Sequence, residues 1–101
     1  MRILIIGDGK VGHSLAGQLI LEGHEVTLVD RSQAALQRSM ETLDAMAVKG
    51  NGVNADTLRE AGAPDADIVI AVTVSDEINM LACLTAKRLG AKHAIARTTP
   101  R

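Results

Sequence analysis

Apolar residues follow two alternating rhythms along this chain. Short unbroken runs, such as Ile3-Leu4-Ile5-Ile6 and Ile68-Val69-Ile70-Ala71-Val72, are rich in β-branched residues, the pattern of strands buried on both faces. Between them apolar residues recur every three or four positions, as at Val11, Leu15 and Leu19, the pattern of a helix with one buried face. These rhythms predict strands near 2–6, 25–29, 45–49, 68–73 and 93–97, and helices near 11–22, 32–43, 55–61 and 77–89. Gly23, Gly62 and Gly90 stand just past three of the helices, where a left-handed cap is expected. Ser32, Asn54 and either Ser75 or Asp76 mark helix starts, because a short side-chain oxygen can accept an orphan N–H there. Pro64 falls in the loop before the fourth strand, where it disturbs no ladder. The spacing leaves no room for a hairpin, so the expected sheet is parallel with right-handed crossovers. The chain therefore reads as a single α/β domain over 1–101, a three-layer doubly wound sheet of five strands in order 3-2-1-4-5.

The first strand runs directly into Gly7-Asp8-Gly9-Lys10-Val11-Gly12, and a helix follows at once. Strand, glycine turn and helix are the context in which G-x-G-x-x-G has a mechanism, and they make the expected fold Rossmann-like. Gly7 allows the tight turn, Gly9 lets the backbone approach a pyrophosphate, and Gly12 lets the helix pack close to the strand. The helix N-terminus is then aimed at phosphate charge. The second strand, Glu25-Val26-Thr27-Leu28-Val29, ends in Asp30, 18 positions after Gly12. A carboxylate there can accept from both hydroxyls of an adenosine ribose, or it can serve as a local helix cap. Asp30 would repel a 2′-phosphate, so NAD(H), ATP or ADP is expected rather than a phosphorylated ribose.

Other residues gather at the same carboxyl edge of the expected sheet. Lys10 reads as a phosphate contact or a solvated side chain, since a cation in a first helical turn opposes the helix dipole. Arg31 reads as a lid on the adenine, a phosphate contact or a surface residue. Gly50-Asn51-Gly52 closes the third strand. It either lets the backbone and Asn51 reach a base edge or forms a left-handed turn. Val72 and Thr73 should wall the crevice where the winding reverses, and Asp76 and Glu77 complement the dipole of the last helix or lie near the nucleotide. Asp8 is expected to point outward, away from ligand phosphates. In the last helix Ile78, Leu81, Ala82 and Leu89 form one apolar stripe, while Met80 and Leu84 point elsewhere. A helix apolar on two sides points to a subunit interface.

Composition narrows the classes. A net charge of −1 gives no electrostatic footprint for nucleic acid. No apolar run approaches the roughly 20 residues a membrane span needs. The one cysteine, Cys83, cannot form an internal disulfide and reads as buried packing in a reducing compartment. There is no Phe, Tyr or Trp, so no aromatic ring is available to stack on adenine. His13, His24 and His93 show no metal spacing, and no Ser/His/Asp or Cys/His constellation is readable, so no metal site and no catalytic group is expected. The chain ends soon after Arg97 with nothing resembling a sixth strand, which reads as a fold truncated before it or as a minimal fold.

The stretches Ile3–Gly12, Gly23–Asp30, Gly50-Asn51-Gly52, Leu58–Gly62, Ala66–Thr73, Asp76–Asn79 and Ala94–Arg97 resemble the N-terminal nucleotide-binding domain of Trk-type potassium-uptake regulators, the TrkA-N or RCK class. The block from Ala66 to Asn79 is the more specific part. The resemblance implies a cytoplasmic regulatory domain, peripheral to a membrane potassium channel or transporter subunit, that forms homodimers within a larger ring. It also implies that the domain binds NAD(H) or ATP/ADP and gates transport without being an enzyme. By the same resemblance Gly7, Gly9, Val11 and Gly12 form the phosphate loop and Lys10 suits a terminal phosphate. Asp30 binds ribose, and Arg31, Asn51 and Gly52 flank the adenosine. Val72, Thr73 and Glu77 lie at the mouth, and Arg97 faces the same edge. The competing readings are the cofactor-binding half of an NAD-dependent dehydrogenase and a sensing module of another membrane exchanger.

Overall fold

The strand Arg2–Ile6 (β1) is the central strand of a parallel sheet, and its four apolar residues are all buried because helices cover both faces. A computed structural model describes residues 1–100; Arg101, the last residue of the expected domain, lies outside the described residues. After β1 come α1 (Lys10–Leu21), β2 (Glu25–Asp30), α2 (Gln33–Thr42), β3 (Met46–Lys49), α3 (Ala55–Glu60), a 3₁₀ turn (Ala63–Asp65), β4 (Ile68–Ala71), α4 (Asp76–Leu89) and β5 (His93–Ala96). The strand order is β3-β2-β1-β4-β5 with every pairing parallel, as the alternation of elements predicts.

Successive residues of β1 feed opposite layers. Ile3 and Ile5 join Ala16, Val26, Leu28 and Leu36 beneath α1 and α2. Leu4 and Ile6 join Val29, Leu58, Val69, Ala82, Cys83 and Ala86 beneath α3 and α4. The register Ile6↔Val29 and Ile6↔Ala71 aligns the carboxyl ends of β1, β2 and β4, so the loops leaving them converge on one edge.

The helix boundaries follow the expected caps. Ser32, Asn54 and Ser75 each accept an N–H from the third residue onward, and Gly23, Gly62 and Gly90 take φ of 91°, 90° and 121°. Two expectations are corrected. The fourth strand ends at Ala71 rather than at 73, because the Thr73 N–H leaves the ladder for the side chain of Asn79. In α4 the packed residues are Asn79, Ala82, Cys83 and Ala86, while Leu81 is 53% exposed alongside Met80 and Leu84. The inward stripe is made of small residues because α4 lies close to the sheet, and the larger aliphatic side chains are displaced outward.

Candidate functional site

The turn between β1 and α1 is shaped by three glycines with three different roles. Gly7 has φ of +106°, a conformation that L side chains rarely adopt, and a Cβ there would lie 3.0 Å from the Thr73 N. Its N–H donates to the Val29 carbonyl at 2.8 Å, which ties the turn to β2. A Cβ on Gly12 would lie 1.8 Å from the Gly7 carbonyl oxygen, so α1 can pack this close only with hydrogen at that position. Around Gly9 a Cβ would meet nothing within 4 Å. The backbone is therefore open to solvent at Gly9, and nothing in the fold itself fills that space. Gly9 is also the N-cap of α1, which has no side-chain cap and no acidic residue in its first turn, unlike α4 with Ser75, Asp76 and Glu77. The amino end of α1 thus presents uncompensated N–H dipoles, a setting that favours an anion.

Asp30 sits at the hinge of this edge. One of its oxygens accepts the Asp8 N–H at 2.7 Å and the other accepts the Ser32 N–H at 2.7 Å. Asp30 thus braces the phosphate turn against the start of α2, and each oxygen keeps further lone-pair capacity for a hydroxyl donor. Its main-chain oxygen accepts from the Gly50 N–H, bringing the Gly50-Asn51-Gly52 loop alongside.

Asp8 overturns the expectation that it points outward: it is 5% exposed. The Ser39 hydroxyl lies 2.6 and 2.8 Å from its two carboxylate oxygens, and His13 Nδ1 lies 2.8 Å from the Ser39 oxygen. Burial pushes the Asp8 carboxyl above its ordinary value; the Ser39 hydrogen bond, His13 and Arg38 oppose that rise, and the Asp30 charge adds to it. A Ser, a His and an Asp do come together, then, contrary to the sequence reading. Position 39 lies 31 residues from Asp8, and a polar residue on the inner face of a helix was the only available signal. The order is Asp–Ser–His, with a buried hydroxyl already committed to the carboxylate, so Ser39 is not arranged as a nucleophile.

The remaining sequence candidates lie along the same edge with unequal engagement. Lys10 and Val11 are exposed in the first turn of α1, and Arg31 is exposed beside Asp30. Asn51 Oδ1 accepts the Val53 N–H at 3.1 Å, closing a local side-chain turn. Among the described residues no non-glycine residue has positive φ, and neither Gly50 nor Gly52 does, so the left-handed turn considered for this loop does not form. A Cβ on Gly52 would meet Ile6 Cγ2 at 2.4 Å, so this glycine is needed for packing against β1. Val72 donates its N–H to the Ile6 carbonyl, and its side chain faces Gly12. Glu77 is exposed and accepts from the Ser75 hydroxyl, and Asp76 holds Thr99 through its N–H and hydroxyl. Arg97 lies beyond β4 at the end of β5; its N–H donates to the Ala71 carbonyl.

Asn79 is a residue whose role the sequence reading missed. It is fully buried, accepts from the Thr73 N–H and hydroxyl at 2.9 and 2.7 Å, and donates to the Thr73 and Arg97 carbonyls at 3.1 and 2.9 Å. One amide thus ties the carboxyl ends of β4 and β5 together and fixes the wall opposite Gly7. Beside the phosphate turn, a groove of about 510 Å³ opens between α1 and α2, lined by Asp8, Gly9, Lys10, His13, Arg38 and Ser39 among others.

The doubly wound sheet, the glycine turn and the acidic end of β2 define a Rossmann-like domain. The TrkA-N domain family matches residues 3–101, and the chain belongs to that family. It is 48% identical to the Trk system potassium uptake protein TrkA of Haemophilus influenzae over 82% of this chain and 18% of that protein. It is 43% identical to a TrkA homolog of Archaeoglobus fulgidus over 96% of this chain and 22% of that protein, so it spans about a fifth of the length of these two relatives. Among solved structures, the NAD(P)-binding domain of an exopolyphosphatase-related protein from Archaeoglobus fulgidus superposes with a TM-score of 0.84 at 20% identity, over 97% of this chain and 73% of that one. The AMP-bound Kef C-terminal domain of Shewanella denitrificans gives 0.78 at 20% identity, over 94% and 57%. The GsuK channel bound to NAD gives 0.75 at 20% identity, over 93% and 21%. At these identities the structural matches establish the fold. Among the described residues no helix is long and apolar enough to cross a membrane.

Proposed function

We propose that this domain is a nucleotide-responsive regulatory element of a potassium uptake system, non-enzymatic, cytoplasmic, and peripheral to a membrane transporter subunit. Its ligand is an adenine nucleotide with unphosphorylated ribose, NAD(H) or ATP/ADP. The observation that carries this reading is the contrast among the turn glycines. The chain's own packing accounts for Gly7 and Gly12, whereas the space at Gly9 has no internal occupant and lies at an uncapped helix N-terminus. In this reading pyrophosphate lies over Gly9, Val11 and Gly12, and Lys10 reaches an outer phosphate. The free lone pairs of Asp30 accept from the ribose hydroxyls, Arg31, Asn51 and Gly52 border the adenosine, and Val72, Thr73, Glu77 and Arg97 line the far side.

The regulatory assignment is supported by the names of the relatives, and the nucleotide by the AMP and NAD named for the Kef and GsuK structures. A ligand changes transport only through its differential affinity for two arrangements of the regulatory assembly, here a homodimer within a larger ring. The test is calorimetric titration of NADH, NAD, ATP and ADP into the chain, with Asp30→Asn as control. That substitution keeps one acceptor oxygen for the turn while removing the charge. Saturable binding of at least one ligand, weakened about tenfold or more in the variant, is the expected result. Equal affinity in the two proteins would remove Asp30 from the ribose role.

A further inference from the structure

We infer that Asp8, Ser39 and His13 form a proton-linked relay beside the phosphate turn, which takes up a proton when the phosphate groups of a nucleotide settle over Gly9 and Lys10. This rests on the nucleotide reading above and adds to it a dependence of ligand affinity on pH. The geometry fixes the direction of each hydrogen bond. Ser39 has one hydroxyl proton and lies within 2.8 Å of both Asp8 oxygens, so it donates to the carboxylate. Its oxygen must then accept from His13, which places a hydrogen on Nδ1 and leaves Nε2 as the free ring nitrogen. The ring lines the groove between α1 and α2 that contains Gly9 and Lys10, so its charge is felt where phosphates would sit.

The charged groups facing Asp8 are Asp30 from the end of β2, His13 from α1 and Arg38 from α2, with Lys10 lining the same groove. A phosphate dianion or a pyrophosphate arriving at Gly9 opposes the Asp8 carboxylate and favours an imidazolium at position 13. Both effects raise the proton affinity of the cluster, so binding draws a proton in and affinity rises as pH falls through the cluster's titration. Burial already holds the Asp8 carboxyl above its ordinary value before any ligand arrives. The three groups titrate as a unit, so the proton is assigned to the cluster and not to one atom.

The probe is NADH, whose bridging pyrophosphate does not titrate near neutrality, so protons counted on binding belong to the protein. Calorimetry in two buffers of different ionisation enthalpy should show net uptake of up to one proton. Affinity should rise on acidification by up to about tenfold per pH unit within the window. His13→Gln and Asp8→Asn should each bind NADH with that uptake lost or strongly reduced. NADH binding with no uptake in the wild type, or with the same uptake in both variants, overturns the relay. Absence of NADH binding overturns the relay as stated here, whereas absence of binding by NADH, NAD, ATP and ADP alike removes the nucleotide reading itself.

Discussion

The Gly7 carbonyl oxygen occupies the place where a Cβ on Gly12 would be, 1.8 Å from the ideal position. The turn and the first helix are therefore locked together by contact of main chain with main chain, and neither side is a flexible side chain that can swing away. Gly12→Ala should destabilise the fold by about 1–3 kcal/mol through forced displacement of α1. Gly9→Ala meets open space at an ordinary extended φ of −85° and should unfold at the same urea midpoint as the wild type. Its nucleotide affinity should nonetheless fall about tenfold or more, because the added methyl lies where phosphate is placed. Denaturation midpoints and calorimetric titration measured on both variants check the pair. An unaltered affinity in Gly9→Ala would refute the placement of the phosphate.

Asn79 makes a comparable commitment in polar chemistry. Its amide is fully buried and serves two acceptors and two donors on Thr73 and Arg97. Removing it strands those groups without water, so Asn79→Ala should cost about 2–4 kcal/mol. Asn79→Leu, which restores volume but no hydrogen bonds, should recover little of that loss. Urea unfolding of the two variants tests this, and a near-wild-type Leu variant would show that packing, not hydrogen bonding, sets the role of Asn79.

The sheet order and nearly every element boundary were readable because period, caps and glycines agreed with one another. Ile3–Ile6, Gly23 and Ser32 each carry local information that no distant residue contradicts. The errors fall where a residue's fate depends on a partner far along the chain. Asp8 looked like a solvated turn carboxylate because nothing near it reveals Ser39, 31 positions on. The reading of Gly52 is extended, not overturned: its Cβ space is filled by Ile6, 46 positions back, a packing demand that nothing near it in the sequence reveals. Thr73 looked like strand, and Asn79 pulls it out of the ladder. Leu81 was placed with the buried stripe because periodicity alone does not say how closely a helix approaches its sheet.

Cys83 offers a probe of that close approach. The thiol is buried against β4, and burial raises its pKa above the ordinary value, with an Ala71 backbone contact partly opposing. Burial both shields the thiol and suppresses the thiolate that reacts with disulfide reagents. In the native protein the thiol should react far more slowly than in urea, at a rate that follows the opening population of α4. Asn79→Ala, which loosens the same helix, should speed the reaction without altering the rate in urea. Rapid native labelling at the rate of a free thiol would contradict the packing of α4 on the sheet.

Two carboxylates should give stability opposite dependences on pH. Asp67 accepts the Arg2 N–H and faces Lys92, and these contacts hold its carboxyl below the ordinary value of 3.8. Its contribution is present above that value and is lost as pH falls through the depressed one. Asp8 has the opposite sign. Its folded carboxyl is raised, so the folded state binds the proton more readily than the unfolded chain does. Stability from that group is full below 3.8 and is lost as pH rises through the raised value. Asp8→Asn removes this loss while leaving an oxygen to accept from Ser39. The variant should therefore gain stability relative to the wild type as pH rises from about 4, and Asp67→Asn should lose stability relative to the wild type as pH rises toward 3.8 from below. Urea midpoints taken across the range for the three proteins decide it. A difference between wild type and Asp8→Asn that stays constant with pH would mean that Asp8 titrates in the folded protein as it does in the unfolded chain.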